Sequence, residues 1–230
     1  MSVNDASLTS IEAPAFITRW YDQLKTQRLA DVVDPATTGI FCTDMTVGFC
    51  DRGSLSCDRV DALTEPVVDL FQRAYALGVR HFVLTQDTHQ ADSPEFAAWP
   101  AHCVQGTEEA ETIPELRALA FADLFTVIEK ASLHPALESG FDPWLDAHPE
   151  LRTAIVAGNC TDLCVYQLAM HLRLRHNARN VPGFTVIVPA NVVETFDLPT
   201  GPMPHPGNFF HQVFLYHMAL NGIEVVRELT

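Results

Sequence analysis

The sequence contains few basic residues and no long hydrophobic run. Its 14 lysines and arginines face 29 aspartates and glutamates, which gives a formal net charge of −15. A surface of this charge repels the phosphate backbone of nucleic acids and the anionic face of a membrane. No apolar stretch approaches the roughly 20 residues that cross a bilayer, and the first residues lack the basic start and apolar run of a signal peptide. We therefore expect a cytoplasmic protein that binds a small molecule, with neither nucleic acid nor membrane as a partner.

The sequence also lacks paired cysteines at metal-binding spacing. Its six cysteines include no CxxC pair, so a structural zinc site made of thiolates is not expected. A chain of 230 residues can bury an adequate core without disulfides, and no secretory signal points to an oxidising compartment. We therefore expect the cysteines to be free thiols.

Short apolar runs rich in β-branched residues alternate with segments of helical periodicity. This alternation is typical of a parallel sheet covered by helices on both faces. The sequence therefore predicts an α/β domain over residues 36–230, with three α/β/α layers and a six-stranded, mostly parallel, doubly wound sheet. The predicted strands are residues 38–43, 81–85, 125–128, 153–157, 184–188 and 223–226.

Longer segments with apolar residues at helical spacing connect the predicted strands. They are residues 60–77, 161–176 and 205–220. Residues 1–35 precede the first strand and contain an amphipathic stretch at 16–29. We interpret them as an N-terminal helical extension that caps the domain or packs on a neighbouring subunit.

The predicted strands end in residues that can carry out chemistry. In open α/β sheets, ligands bind beyond the carboxyl ends of the strands. Asp44 follows the first strand, Asp87 and His89 follow the second, Lys130 follows the third, and residues 159–164 follow the fourth. Polar groups from four strands are therefore expected at one edge of the sheet.

Cys164 is the candidate nucleophile among these residues. It lies near the start of a predicted helix, where the helix dipole and free backbone N–H groups favour a thiolate, and Thr161 or Asp162 is the expected N-cap residue. The structural alternative is a small apolar residue on a buried helix face. Asp44 can act as a base towards the thiol and Lys130 adds a positive charge beside both, which favours nucleophilic catalysis.

The loop before this helix supplies candidate oxyanion donors. The backbone N–H groups of Cys160 and Cys164 are placed where they can bind the oxyanion that forms when a thiolate attacks an amide carbon. We also expect Lys130 to lower the pKa of both the Asp44 carboxylate and the Cys164 thiol. These residues favour hydrolysis of an amide through a thioester.

One loop, residues 87–102, carries candidate metal ligands. Side chains alternate along an extended segment, so Asp87 and His89 in the motif DTH are expected on the same side. His102 follows in WPAHC, and Glu95 lies between. Nitrogen and oxygen ligands of this kind suit Zn, Fe(II) or Mn. Spacing alone leaves open that these are ordinary loop histidines, because the chain has 10 histidines.

Several motifs occur in the order of a known family. They are DMTVGF at 44–49, DTH at 87–89, WPAHCVQGT at 99–107, the strand-end Lys130, GNCTDLCV at 158–165, and FDLP at 196–199 with a later His205-Pro206. Over roughly residues 38–226 the sequence resembles the nicotinamidases of the isochorismatase-like cysteine hydrolase superfamily. The most specific element is WPxHCVxGT together with TDxCV.

The resemblance implies both a reaction and a cofactor. The reaction is conversion of nicotinamide to nicotinate and ammonia in NAD salvage, with pyrazinamide as a second substrate. The cofactor is one divalent metal ion, with zinc expected and iron or manganese as alternatives. The implied catalytic triad is Asp44, Lys130 and Cys164, and the implied metal ligands are Asp87, His89 and His102, with Glu95 as an additional carboxylate.

The resemblance also implies the way in which the substrate is held. Phe49 and Trp99 match an aromatic pair that sandwiches a pyridine ring, the peptide between Asn159 and Cys160 is expected to be cis, and a homo-oligomer is expected. Two alternatives stay open at this point. One is a related cysteine amidase acting on another small carboxamide or on an N-carbamoyl or ureido substrate, and the other is a non-catalytic binding protein on the same fold.

Overall fold

The central element of the computed structural model, which describes residues 12–137, 139–198 and 200–230, is one parallel β-sheet. Its strands are β1 (Thr38–Thr43), β2 (His81–Asp87), β3 (Phe125–Lys130), β4 (Thr153–Asn159), β5 (Thr185–Pro189), β6 (Val193–Glu194) and β7 (Glu224–Val226). The order is β3-β2-β1-β4-β5-β7, and β6 pairs with β4 beyond the end of β5. Every pairing is parallel.

The predicted fold class is confirmed, but the sheet has seven strands where the sequence predicts six. The additional strand is β6, which contains only two residues and pairs with Gly158 and Asn159. A segment of two residues is too short to show an alternating pattern, so its pairing is fixed by its position beside β4 and not by its own sequence.

Helices cover both faces of the sheet, as predicted. The α-helices of the described residues are α1 (Ala13–Asp22), α2 (Leu29–Val32), α3 (Val47–Cys50), α4 (Asp58–Asp61), α5 (Thr64–Ala76), α6 (Pro114–Arg117), α7 (Phe141–Ala147), α8 (Cys164–Ala178) and α9 (Gly207–Leu220). Short 3₁₀ helices cover Pro94–Ala97, Glu108–Ala110, Ala122–Leu124 and Ala190–Val192. None of these helices is long and apolar enough to span a membrane.

Alternating side chains of each central strand supply two cores. In β1, Ile40 and Cys42 join a core on one face, whereas Phe41 joins the core on the other. The strand β4 divides in the same way, with Ile155 on the first face and Val156 on the second. Period-2 alternation with apolar residues on both faces is why these strands are continuous apolar runs in the sequence.

Three predicted helices differ from the observed ones at their ends. The segment predicted at 60–77 forms two helices, α4 and α5, and α5 begins at Thr64 with Pro66 in its first turn. Proline is tolerated there because the first N–H groups of a helix have no partner within the helix. The helix predicted from residue 161 begins at Cys164, and the one predicted from residue 205 begins at Gly207.

The N-terminal segment packs against the last helix of the domain. The stretch predicted as one helix at 16–29 forms α1 and the short α2, and residues 1–11 lie outside the described part of the chain. The ring centroids of Trp20 and Phe16 on α1 lie 5.1 and 5.6 Å from that of Tyr216 on α9. The extension therefore covers α9, and the predicted domain boundary at residue 36 stays a prediction.

Candidate active site

The carboxyl ends of β1, β2 and β3 bring charged side chains into contact with a thiol. Lys130 Nζ lies 2.9 Å from Asp44 Oδ2 and 3.5 Å from Cys164 Sγ, and it also forms an ion pair with Asp87 Oδ1. All four side chains are buried. The structure thus brings together the predicted Asp44, Lys130 and Cys164, and it adds a direct link to Asp87.

Asp44 is held in place by its backbone and by its neighbours. Its φ of +57° lies in the left-handed region, and the Asp87 N–H donates to its Oδ1 at 2.8 Å. The Thr43 hydroxyl donates to its Oδ2 at 3.1 Å, and the side-chain amide of Asn159 donates to its backbone carbonyl at 2.6 Å. Gly158, with a φ of +110°, is required beside it, because a Cβ there would lie 1.9 Å from the Thr43 carbonyl oxygen. Both conformations are unfavourable for most residues.

Cys164 is the first residue of α8, which is closer to the helix start than the sequence predicts. The predicted N-cap is wrong, because Leu163 occupies that position and no side chain caps the helix. The Thr161 hydroxyl instead contacts His211 Nδ1 at 2.9 Å, and Asp162 accepts a hydrogen bond from Thr195. The tertiary partners of these two side chains compete successfully with local capping.

The pKa values of Asp44 and Cys164 differ from the expectation that Lys130 keeps both of them low. Burial raises the pKa of Cys164 well above its ordinary value and Asp44 adds to this, whereas Lys130 opposes it without reversing it. Burial and the neighbouring Asp87 raise the pKa of Asp44. Burial also acts to raise the pKa of Asp87, but Lys130 and the two histidines outweigh it and hold that pKa below its usual range. Lys130 therefore acts in the expected direction on Cys164 and Asp44, but it does not keep either pKa low.

The raised pKa favours a protonated Cys164 thiol, which lies within 4.8 Å of the Asp44 carboxylate. A helix N-terminus and one ammonium do not offset full desolvation of a thiolate that has a carboxylate beside it. A carboxyl group whose pKa is raised is a stronger base than an ordinary aspartate, so it is better able to take the proton when the sulfur attacks.

The loop from β4 to α8 presents two free backbone donors. The peptide between Asn159 and Cys160 is cis, as the resemblance implies. Neither the N–H of Cys160 nor that of Cys164 donates a hydrogen bond to any residue that the structure describes, although the flanking N–H groups of Thr161 and Val165 do. Both donors are thus available for an oxyanion, and their role in binding one stays a prediction.

Asp87, His89 and His102 form a buried group with metal-ligand character. One ligand atom from each lies within 4.8 Å of the others, and Asp87 Oδ2 lies 3.5 Å from His89 Nε2 and 3.6 Å from His102 Nε2. His102 Nδ1 lies 2.8 Å from the Pro100 carbonyl oxygen, which leaves Nε2 free to bind a metal.

The donor set fits a divalent ion of the zinc type. Both ring nitrogens of His89 are buried without a hydrogen-bond partner, and a buried polar atom left in this way costs about 1–3 kcal/mol. A bound ion would satisfy one of them. Glu95 lines the same cavity but is not a member of the close group, so its role as an additional ligand stays a prediction.

A cavity of about 370 Å³ opens above the cluster, within the range of small-molecule sites. Phe49 and Trp99, the predicted aromatic pair, both line it. The Phe49 ring centroid lies 5.5 Å from that of His102, and the Trp99 centroid lies 6.1 Å from that of Phe196. Further lining residues are Asp44, Ser54, Leu55, Ser56, Cys57, Asp87, Glu95, Pro100, Leu133, Asn159, Cys160, Leu163, Cys164, Asp197 and Leu198.

Phe196 is a lining residue to which the sequence analysis gave no role. His205 stacks on its ring at a centroid distance of 3.9 Å, and His205 Nδ1 lies 3.0 Å from the Phe196 carbonyl oxygen. The other ring nitrogen, Nε2, contacts Asp162 Oδ2 at 2.7 Å. The signal was present as FDLP and His205-Pro206, whose Pro199 lies outside the described residues. Asp162 and His205 therefore tie this wall of the cavity to the loop that carries Cys160.

The fold and the cluster define a doubly wound α/β protein with its ligand site at the carboxyl ends of the strands. Residues 38–225 match the family model of the isochorismatase domain. The chain therefore belongs to the isochorismatase family of hydrolases, and the resemblance seen in the motifs is confirmed at that level.

Among curated proteins, the chain is similar to "Nicotinamidase 1" of Arabidopsis thaliana, with 29% identity over 237 residues that cover 91% of this chain and 96% of the relative. Among solved structures, it shares its fold with a zinc complex of a pyrazinamidase of Pyrococcus horikoshii, with a TM-score of 0.66, 22% identity and coverage of 83% and 98%. An N-carbamoylsarcosine amidase from Thermoplasma acidophilum has the same fold, with a TM-score of 0.63, 22% identity and coverage of 83% and 96%.

Proposed function

We propose that the chain is an amidohydrolase that converts nicotinamide to nicotinate and ammonia, with pyrazinamide as a second substrate. The observation that carries the proposal is that Lys130 contacts both Cys164 and Asp44 in a buried cluster at the floor of a mostly apolar cavity. The cavity suits a flat aromatic amide, and the similarity to a nicotinamidase over most of both chains supports nicotinamide as the substrate. This reaction would return nicotinamide to NAD salvage.

The first half-reaction forms a thioester on Cys164. The pyridine ring lies between Phe49 and Trp99, with the carboxamide carbon next to the sulfur. Asp44 accepts the thiol proton as the sulfur attacks, and the backbone N–H groups of Cys160 and Cys164 bind the resulting oxyanion. The C–N bond then breaks, and the same proton leaves with the nitrogen as ammonia. Lys130 stabilises the negative charge on the carboxylate and the sulfur during these steps.

The second half-reaction consumes one water. Asp44 takes a proton from the water, whose oxygen attacks the thioester carbon, and the same two N–H groups bind the second oxyanion. The C–S bond breaks, the proton on Asp44 returns to the sulfur, and the product leaves as nicotinate after its acid proton passes to solvent water. Since the Cys164 pKa is raised by burial, the sulfur regains its proton readily at the end of each turnover.

Asp87, His89 and His102 would hold one divalent ion, with zinc the expected species. When bound, the ion supplies a Lewis-acidic ligand position that can hold the ring nitrogen of the substrate and so fix the position of the ring. Asp87 has a further role that needs no ion, because its other oxygen forms an ion pair with Lys130. The ligand group and the Asp44–Lys130–Cys164 cluster are therefore one connected structure.

The proposal is tested by measuring ammonia release from four compounds. Nicotinamide and pyrazinamide should be hydrolysed, benzamide, which lacks a ring nitrogen, should be poor, and N-carbamoylsarcosine should be inert. Elemental analysis and repetition with a chelator would report the ion. A Cys164→Ala protein prepared in parallel controls for contaminating amidases. Faster release from N-carbamoylsarcosine than from nicotinamide would instead favour the related-amidase alternative, and no release from any compound would favour a binding protein.

A further inference from the structure

A second group of metal-type ligands lies at the opposite end of the sheet. His81 is the first residue of β2, whereas Asp87 is the last, and at about 3.3 Å per residue this strand separates the two by about 20 Å. His148 and Glu150 lie between α7 and β4. Since β2 and β4 flank β1 in the sheet, the group bridges the amino end of β1.

The distances within this group suit an ion placed between the side chains. One ligand atom from each of His81, His148 and Glu150 lies within 4.8 Å of the others. His81 Nε2 and Glu150 Oε1 are 3.6 Å apart, which is too long for a hydrogen bond. Two ligands at about 2.0–2.1 Å from a tetrahedral zinc ion lie about 3.3 Å apart. For this pair only a small side-chain adjustment is needed.

The hydrogen bond of His148 also suits a metal ligand. Its Nδ1 lies 2.7 Å from the Trp144 carbonyl oxygen, and because a carbonyl can only accept, Nδ1 is the donor and Nε2 is the ring nitrogen left for a metal. The Trp144 ring stacks on the His148 ring at a centroid distance of 3.9 Å and fixes its orientation. A carbonyl that orients one nitrogen while the other binds is the common arrangement of metal-binding histidines.

The histidine pair His134 and His171 is a contrasting case, because His171 and the carboxylate beside it already have partners. The rings of His134 and His171 are 4.9 Å apart, but His171 Nε2 is bonded to Asp142 at 2.8 Å, and Arg175 pairs with the same carboxylate at 2.9 Å. In contrast, Glu150 forms no ion pair with any lysine or arginine in the described part of the chain. Its negative charge is available for a cation.

We propose that His81, His148 and Glu150 bind one divalent ion of the zinc type, with water completing the coordination. The ion joins the start of β2 to the segment that leads into β4. Glu150 and His81 are 42% and 25% exposed at their side chains, so the ion exchanges with solvent and chelators more readily than one held by the buried group at the carboxyl end.

The test is a count of bound zinc in untagged, chelator-treated protein after equilibrium dialysis against zinc. It is made in a His89→Ala background, so that the candidate active site does not contribute. We expect His89→Ala to bind one equivalent and the double variant His89→Ala/His148→Ala to bind none. The difference of one equivalent decides the question, so the outcome does not depend on whether the active-site ligands are assigned correctly.

Two further variants separate ligand loss from misfolding. Glu150→Gln alters an exposed side chain and keeps its shape, so His89→Ala/Glu150→Gln should keep its circular dichroism spectrum and lose the same equivalent. Zinc should raise the Tm of His89→Ala but not of that double variant. His89→Ala/His217→Ala, which removes an exposed histidine on α9, is the matched control and should bind as His89→Ala does. Equal zinc content in His89→Ala and both ligand double variants would overturn the proposal.

Discussion

The two ends of the parallel sheet carry the same kinds of side chain, two histidines and a carboxylate, in different surroundings. At the carboxyl end, Asp87, His89 and His102 are at most 2% exposed and lie beside two further buried charges, Asp44 and Lys130. At the amino end, the histidines are partly exposed, and Glu150 is in contact with water. Solvent can therefore replace a lost partner at the amino end but not at the carboxyl end.

This difference in burial favours the carboxyl end of the sheet as the site of catalysis. Desolvation raises the pKa of Cys164 and Asp44 and strengthens every electrostatic interaction with Lys130. A charge removed from such a cluster leaves its partner buried and uncompensated. Exposed ion pairs contribute about 0–1 kcal/mol each. Substitutions should consequently have large effects at the carboxyl end and small effects at the amino end.

The largest effect is expected at the sulfur. Cys164→Ala removes the proposed nucleophile, so ammonia release from nicotinamide should fall by a factor of about 10³ or more, while the circular dichroism spectrum stays that of the wild type. The matched control is Cys57→Ala, since Cys57 is a thiol that lines the same cavity, whereas the sulfur in contact with Lys130 is that of Cys164. Activity in Cys164→Ala above a tenth of the wild-type value would remove Cys164 from the mechanism.

The second effect concerns stability. Lys130→Met leaves Asp44 and Asp87 buried without their cation, and the free energy of unfolding should fall by about 3–5 kcal/mol. His81→Ala in zinc-free protein breaks only the partly exposed contact with Glu150 and should cost less than about 1 kcal/mol. Urea denaturation of chelator-treated proteins at pH 7.5 measures both. Equal losses would show that the two ends do not differ as their burial implies.

The same interaction predicts how stability depends on pH. Lys130 and the histidines hold the folded-state pKa of Asp87 below its ordinary value. Ionised Asp87 therefore stabilises the fold at pH values above the ordinary carboxyl range, and this stabilisation is lost as the pH falls below that range. Burial acts to lower the pKa of Lys130, but Asp44 and Asp87 outweigh it and raise that pKa, so its contribution is present at neutral pH and is lost as the pH rises through the folded-state value. The loss caused by Lys130→Met should therefore shrink as the pH falls below the ordinary carboxyl range, and a loss that stays constant from pH 7.5 down to pH 2.5 would contradict the pairing.

The third effect concerns the ion and the affinity for substrate. His89→Ala removes a proposed ligand whose ring nitrogens have no other partner, so the ion at the carboxyl end should be lost and KM for nicotinamide should rise by about tenfold or more. Steady-state kinetics with elemental analysis measures both, and His217→Ala is the control. If KM is unchanged after the ion is lost, the ion does not position the substrate.

The sequence analysis predicted the carboxyl end well because a general rule applies to it. In a doubly wound sheet the main ligand site lies beyond the carboxyl ends of the strands, so Asp44, Asp87 and Lys130 could be placed together from their positions alone. Phe196 lines the cavity and His205 stacks on it, but neither was given a role, because Phe196 follows β6, a strand of two residues that the sequence does not reveal. The raised pKa of Cys164 was missed because burial of the whole cluster is a property of the tertiary structure.

No comparable rule applies to the amino end. His81 and His148 are far apart in the sequence and are joined only because β2 and β4 both flank β1. A histidine that begins a strand has no special meaning by itself. The strand β6 was missed for a similar reason, since its pairing with β4 depends on the course of the chain and not on a pattern of two residues. Local sequence patterns therefore predict secondary-structure elements and strand ends, whereas contacts between distant loops can be identified only from the tertiary structure.

The smallest predicted effect tests whether the carboxyl end binds its substrate by ring contacts as well as by charge. Phe49 is 8% exposed and packs near His102, whereas Trp99 lies at the less buried side of the cavity. Contact between aromatic rings contributes about 1 kcal/mol beyond burial, so Phe49→Leu and Trp99→Leu should each raise KM for nicotinamide by about fivefold and change kcat by less than twofold. Phe209→Leu, at an exposed ring on α9, is the control. A fall in kcat with KM unchanged would place these rings in the chemical step, and the separation between a charged floor that reacts and an aromatic wall that binds would have to be abandoned.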